Sequence, residues 1–298
     1  MTATARVWRC SGLRWTPEGP ALVWDGGRRS PLTRGKRVAF AVAEDTTRRC
    51  VGARGNDCPL RAAVSGRSTG ARCEECARLD RAHSVAADTL ADDPRPYRVY
   101  LAWFGPGMTK VGITAAERGS ARLLEQGAVC FSWLGTGPLM AARRTEELLR
   151  AALNVPDRVP YAEKRAVRAQ LPQTSFERAR EVSELHAQAR ALPAWPESLD
   201  PAPCQVVDHT EAFGIQQAEP ALADVRELIP GGTLAGELVA VAGPDLHLAV
   251  DGHGVVVLDT RLMTGWDLVT PQPSHSGEPA IPVRKFAAGS ASRQDGLF

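Results

Sequence analysis

The chain has no run of apolar residues near the ~18 that a membrane-spanning helix needs, so no integral membrane span is expected. Its opening Met1-Thr2-Ala3-Thr4-Ala5-Arg6 lacks the apolar block of a secretory leader, and a cytoplasmic location is expected. It has no phosphate-cradling glycine loop, no Ser-His-Asp set and no dinucleotide fingerprint, which gives a small-molecule enzyme little support. No internal repeat is visible. Lysine is scarce: Lys36, Lys110, Lys164 and Lys285 are the only four among 36 basic residues. With so much alanine and glycine, that bias reads as GC-rich coding and carries no functional weight by itself.

What is present fits roughly two domains, with 298 residues, 44% hydrophobic and 23% charged. Seven cysteines in an intracellular chain point to metal ligands or buried thiols rather than to a disulfide framework. The formal net charge of +2 is the sum of unlike parts. Residues 1–192 carry 31 Lys+Arg against 20 Asp+Glu, whereas residues 193–298 carry 5 against 14. A +11 region therefore precedes a −9 region. Within the basic part, residues 28–81 hold 13 basic and 6 acidic side chains. Such a face suits phosphate, and a solvated charged surface explains it equally.

The patterning predicts an α+β chain. Short runs at 5–10, 21–24 and 37–42 read as strands, separated by Pro17-Glu18-Gly19-Pro20, Asp25-Gly26-Gly27 and Gly35. Residues 46–85 lose periodicity, as a segment organised around a metal would. After Asp92-Asp93-Pro94-Arg95-Pro96, strands are expected at 98–104 and 109–114 around the Gly105-Pro106-Gly107 turn. A helix at 117–126, a strand at 129–134 and an amphipathic helix at 139–153 complete a β-β-α-β-α order. Thr174-Ser175-Phe176-Glu177 is a capping box, and Phe176, Ala179, Val182, Leu185, Ala189 and Leu192 fall on one face of the helix it opens. Strands at 234–241, 247–250 and 255–258 suggest a small β-rich unit. The expected division is 1–90 for N-terminal strands and cysteine cluster, 95–192 for the α/β core, 193–203 for a Pro-rich linker, 204–270 for the β unit and 271–298 for a disordered tail.

Cys50, Cys58, Cys73 and Cys76 are spaced C-x7-C-x14-C-x2-C, and the last pair is a knuckle that lets two thiolates bite one ion. Four thiolates suit a closed tetrahedral zinc whose binding folds a segment without its own core. Four unrelated thiols or a redox pair at Cys73 and Cys76 is the alternative, and His83 reads as ordinary surface more readily than as a substitute ligand. Cys10, Cys130 and Cys204 sit among apolar or strand-like neighbours and read as buried thiols.

The block Val99-Tyr100-Leu101-Ala102, Lys110-Val111-Gly112-Ile113-Thr114, Arg122, Gln126-Gly127-Ala128, Ala142 and Glu146 resembles the GIY-YIG nuclease superfamily. With the preceding cysteines it resembles more closely the bacterial domain-of-unknown-function 2797 family, clearly over about residues 45–165 and more weakly in the flanks. The superfamily resemblance implies a nucleic-acid partner, DNA or RNA, and a phosphodiester-cleaving site. It places Tyr100 at the attacking water, Arg122 at the scissile phosphate and Glu146 on one divalent metal, Mg2+, while Gly112 lets backbone approach the site. Lys110 stands where the second tyrosine is normal, as a cation, a base or a phosphate contact. Arg98 and Val99 replace the first motif's glycine and isoleucine, and Asn154 is nearest to the late asparagine. Each residue has a plainer reading. Tyr100 can pack in its strand, Arg118 and Arg122 can form a solvated helix face, and Glu146 and Glu147 can pair with Arg143 and Arg144. Trp103, Phe104 and Trp133 suit core packing or base stacking. A catalytically inactive nucleic-acid or protein-binding module is therefore the second expectation.

Overall fold

Runs rich in β-branched and aromatic residues at the two ends of the chain form strands that pair with one another. The structure, a computed structural model, describes residues 6–81, 93–271 and 280–286. Its N-terminal strands are β1 (Trp8–Thr16), β2 (Gly19–Trp24), β3 (Arg29–Pro31) and β4 (Arg37–Val42). A short helix, α1 (Glu74–Arg81), ends the cysteine segment. The core follows as β5 (Tyr97–Trp103), β6 (Thr109–Ala115), α2 (Ala121–Gln126), β7 (Cys130–Gly137), α3 (Leu139–Leu153), α4 (Tyr161–Val167) and α5 (Ser175–Arg190). Then come β8 (Asp200–Pro201), β9 (Val207–Asp208), α6 (Thr210–Phe213), β10 (Ala223–Val225), β11 (Thr233–Ala242), β12 (Asp245–Val250), β13 (Gly254–Asp259), β14 (Asp267–Val269) and β15 (Val283–Lys285).

The two ends are not separate units. One sheet runs β15-β10-β13-β12-β11-β4-β14-β1-β2-β3, in which Phe40 of β4 faces Leu234 of β11 and Trp8 of β1 faces Leu268 of β14. Trp15, Phe40, Leu234, Leu246, Leu258 and Trp266 share one apolar core drawn from both ends. The division into an N-terminal β element and a C-terminal β unit is corrected accordingly. Four short strands alone bury too little apolar surface and leave open edges, and the C-terminal strands cover both deficits.

The second sheet has the order β6-β5-β7-β8, with β9 also on β7, and the core keeps the β-β-α-β-α order. β5 is covered on both faces. Tyr97, Val99, Leu101 and Trp103 point into a core with Ala142, Leu149 and Val182, whereas Tyr100, Ala102 and Phe104 point the other way onto Leu123 and Phe131. Trp103 and Phe104 are thus core residues. The capping box forms at Thr174 and Glu177, but Phe176 is 80% exposed. The buried stripe of α5 is Arg178, Val182, His186 and Ala189, because Arg178 turns inward to pair with Asp208.

The Pro-rich segment is not a free linker. Asp200–Pro201 adds an edge strand to β7, Leu199 is buried, and the Trp195 indole donates to the Leu199 carbonyl at 3.1 Å. Val283–Lys285, within the expected disordered tail, pairs with β10, while residues 272–279 and 287–298 lie outside the described residues. Cys10 and Cys130 are buried as expected, but Cys204 is exposed. No helix among the described residues is long and apolar enough to cross a membrane.

Two polar networks lock the parts together. The buried Asp245, at the start of β12, binds Arg165 at 2.5 Å and Arg168 at 2.6 Å, and Arg165 also reaches Asp259 at 2.5 Å. These pairs join α4 to the large sheet. Arg48, 1% exposed, donates to the carbonyls of Ser65, Ser68, Arg261 and Thr264 at 2.5–2.8 Å, which ties the cysteine segment to the turn after β13.

Candidate metal centre and cationic cleft

Between residues 46 and 76 the chain has almost no repeating backbone ladder, only bridges such as Arg49 to Ala63 and Ala53 to Asn56. What gathers it is sulfur. The Sγ atoms of Cys50, Cys58, Cys73 and Cys76 all lie within 4.8 Å of one another, with Cys58 and Cys73 at 4.0 Å. A tetrahedron with metal–sulfur bonds of about 2.3 Å has edges of about 3.8 Å, so the four thiols fit one ion such as zinc with little rearrangement. The backbone N–H groups of Gly52 and Cys73 donate to Cys50 Sγ at 3.4 and 3.1 Å, contacts that favour thiolate. Backbone donation by Ala62 pulls the Cys58 thiol down to about 7, whereas burial pushes Cys76 up to about 12. His83 lies outside the described residues.

A cleft of about 760 Å³ opens beside this centre. Its walls come from four parts of the chain: residues 11–14 of β1, residue 51 and residues 69–72 of the cysteine segment, the α/β core with α4, and the turns at 243–244 and 260–264. The core contributes Lys110, Arg122, Arg158 and Lys164 to the lining, and the other walls contribute Arg14, Arg72 and Arg261. Against these seven cations stand two carboxylates, Glu125 and Asp157. Glu125 is already engaged by Arg118 at 2.6 Å and by Arg14 at 3.6 Å. The lining therefore carries an excess of basic side chains, of which Arg72 also pairs with Asp80 at 3.4 Å and Arg261 with Asp259 at 2.6 Å.

Of the residues singled out in the hairpin and helices, Lys110, Arg122 and Gln126 line the cleft, whereas Tyr100 and Gly112 lie behind that lining. Tyr100 and Gly112 are register partners in the β5–β6 pair, and the Tyr100 hydroxyl accepts from Gln126 Nε2 at 2.9 Å. Burial raises the Tyr100 phenol, while Gln126 and Arg122 oppose that shift. The Lys110 ammonium lies 5.6 Å from the centre of the Tyr100 ring and donates to the Asp157 carbonyl at 3.0 Å. Burial brings Lys110 down to about 8, with Arg122 adding to the effect. Glu146 does not line the cleft; it sits half-buried on α3, within electrostatic reach of Lys110, Tyr100 and Asp157. Burial and then Asp157 raise its carboxyl, and Lys110 opposes them. Arg122 reaches Glu125 at 3.9 Å. Asn154 is spent elsewhere, as the left-handed residue that ends α3 with φ 52°.

The profile of the family described as a protein of unknown function, DUF2797, matches residues 35–268. The chain belongs to the DUF2797 family. No curated protein and no solved structure matches it. The DUF2797 match reaches beyond residues 45–165 and runs from just before β4 to the second residue of β14, so it takes in strands from both ends of the shared sheet.

Sequence reasoning about this DUF2797 chain missed Lys164. Its side chain is 3% exposed, its amine donates to the Gln126 carbonyl at 3.1 Å, and it lies 3.9 Å from the Phe104 ring centre and 4.4 Å from that of Tyr161. Burial, then Lys110 and nearby arginines, bring it down to about 7. Tyr161 donates to the Glu125 carbonyl at 3.0 Å, so α4 holds the end of α2 with two side chains. No local signal marked it, because a lysine beside Glu163 and Arg165 reads as part of a solvated helix face.

Proposed function

We propose that this protein binds nucleic acid through its phosphates in the cationic cleft and cleaves a phosphodiester there, with a GIY-YIG-like site of Tyr100, Lys110, Arg122 and Glu146. The carrying observation is that Lys110 and Arg122 line the cleft over Tyr100, while Glu146 stands within electrostatic reach of two of them. Arg122 would stabilise charge developing on the phosphate. Lys110 is a better proton acceptor than Tyr100, because burial lowers an amine toward neutral pH and raises a phenol away from it. Glu146, with Asp157 nearby, offers the one or two carboxylates that suit a magnesium ion. When bound, such an ion supplies a Lewis acid for the non-bridging oxygens. Zinc at the four cysteines would be structural, since four thiolates leave no open position.

A second reading is a binding module without hydrolytic activity. The 2% exposure of Tyr100 and the carbonyl-bound amine at Lys110 favour it. The test is nicking of DNA and RNA with magnesium, compared among the wild type, Glu146→Ala and Tyr100→Phe. Magnesium-dependent cleavage lost in Glu146→Ala supports the enzyme. Clean inactivity on both nucleic acids, with salt-sensitive binding retained, leaves the binding module.

A further inference from the structure

The cations that define the cleft lie in a concavity, not on a ridge. A protein that reads a duplex pushes a helix or ribbon into a groove about 12 Å wide, or tracks phosphates over an open surface. Here the cations surround a concavity, with Arg14, Arg72, Arg122 and Arg158 exposed to solvent and Lys110 and Lys164 buried. The cleft's 760 Å³ falls within the range of about 300–1,000 Å³ that encloses small organic ligands. Lys164 and Lys110 are the buried part of its basic lining, 3% and 9% exposed, with their amines donating to the Gln126 and Asp157 carbonyls.

The walls also resist opening. The cysteine segment that carries Arg72 is tied by Arg48 to the carbonyls of Arg261 and Thr264. Arg165 and Arg168 hold α4 to the buried Asp245, and the Trp15 indole donates to the Gly243 carbonyl at 3.2 Å between two other walls. A hinge that would admit a duplex has to break several of these buried contacts at once, each costing about 1–3 kcal/mol once unpaired.

We propose that the cleft takes single-stranded nucleic acid and excludes the duplex, with Arg72 of the cysteine segment contacting a flanking phosphate. This deepens the function proposed above and rests on it. An unpaired strand is flexible and narrow enough to bring successive phosphates past Arg72, Lys110 and Arg122, as a basic groove for single strands requires. The cysteine segment then acts as a wall of the binding site as well as a metal-held scaffold.

The experiment is fluorescence anisotropy on the full chain with labelled oligothymidylate and oligouridylate of about twelve nucleotides, within the span that single-strand grooves cover, against a blunt duplex of the same length. Either single strand should bind at least about tenfold tighter than the duplex, equivalent to about 1.4 kcal/mol. Arg72 also donates to the Gly52 carbonyl at 3.0 Å and pairs with Asp80 at 3.4 Å, so Asp80→Ala, which removes the ion pair alone, is the control: Arg72→Ala should weaken single-strand binding several-fold where Asp80→Ala does not, and Arg122→Ala should weaken it too. Duplex binding equal to or tighter than single-strand binding, still sensitive to Arg122→Ala, would overturn this inference and leave the phosphate cleft standing. A normal response to Arg72→Ala would overturn the role given to that wall. Absence of binding to any probe, or binding indifferent to Arg122→Ala, would overturn both this inference and the function on which it rests.

Discussion

Tyr100 and Gly112 face each other across the β5–β6 pair, and a Cβ on Gly112 would stand inside the Tyr100 phenol. The glycine is required by the ring's path, not by its own backbone conformation. Gly112→Ala should cost about 1–3 kcal/mol through overpacking, read by denaturant unfolding. If the function proposed here holds, cleavage and binding should fall further than stability does. A stability change near zero would show that the ring moves aside freely.

The metal centre makes a direct prediction. Protein purified under reducing conditions should carry about one equivalent of zinc by elemental analysis, and Cys73→Ser with Cys76→Ser should carry none. Because binding is coupled to folding of a segment without a core, chelation should expose residues 46–76 to protease before the sheets unfold. A metal-free protein with an intact segment would refute the assignment.

Lys164 and Lys110 give the cleft a pH dependence whose two effects have opposite signs. Lys164 loses its proton around 7 and Lys110 around 8, so the cleft's positive charge, and with it anion affinity, should fall as pH rises from 6 to 9. Stability should move the other way. The folded-state affinity of each lysine for a proton lies below its unfolded value, so the unfolded chain binds more protons from about 7 up to the ordinary lysine range, and stability rises with pH there. Each tenfold difference in proton affinity is worth about 1.4 kcal/mol. Lys164→Met should flatten both profiles in anisotropy and thermal unfolding. An unchanged slope in both would rule out Lys164 as the titrating group.

Arg48 donates to four carbonyls, and among the described residues no carboxylate accepts a hydrogen bond from it. Arg48→Met should cost more than about 3 kcal/mol, because several buried carbonyls lose their donor together. Hydrogen exchange should rise first at residues 63–68 and 261–265, where those carbonyls lie. Uniform destabilisation of the whole chain would argue against a local tether.

If the cleft binds through phosphates, the logarithm of affinity should fall linearly with the logarithm of salt concentration, by about 0.7 for each phosphate contact on a single strand. Arg122→Ala should reduce that slope by roughly one contact. A flat salt response would argue against a phosphate cleft.

The elements of the core were legible because they are written locally. The strands around Gly105-Pro106-Gly107, the helix from Leu139 and the capping box at Thr174 each lie within a few residues of their predicted bounds. Phe176 shows where periodicity fails: the first turn answers to its cap and to Arg178, which turns inward to Asp208, and the apolar stripe shifts around the helix. Cys204 shows the same for burial, since strand-like neighbours do not say which side a residue faces.

By itself the sequence determined the order of the elements, the four cysteines that gather, and the family to which the chain belongs, because spacing and local propensity are carried by neighbouring residues. Only the tertiary structure decided that the two ends share one sheet, and that Arg72, Lys164 and Arg261 meet Lys110 and Arg122 around one cleft. Those partners are far apart along the chain. Their pairing depends on which edges and apolar faces remain to be covered once the local elements exist, a condition no single segment contains.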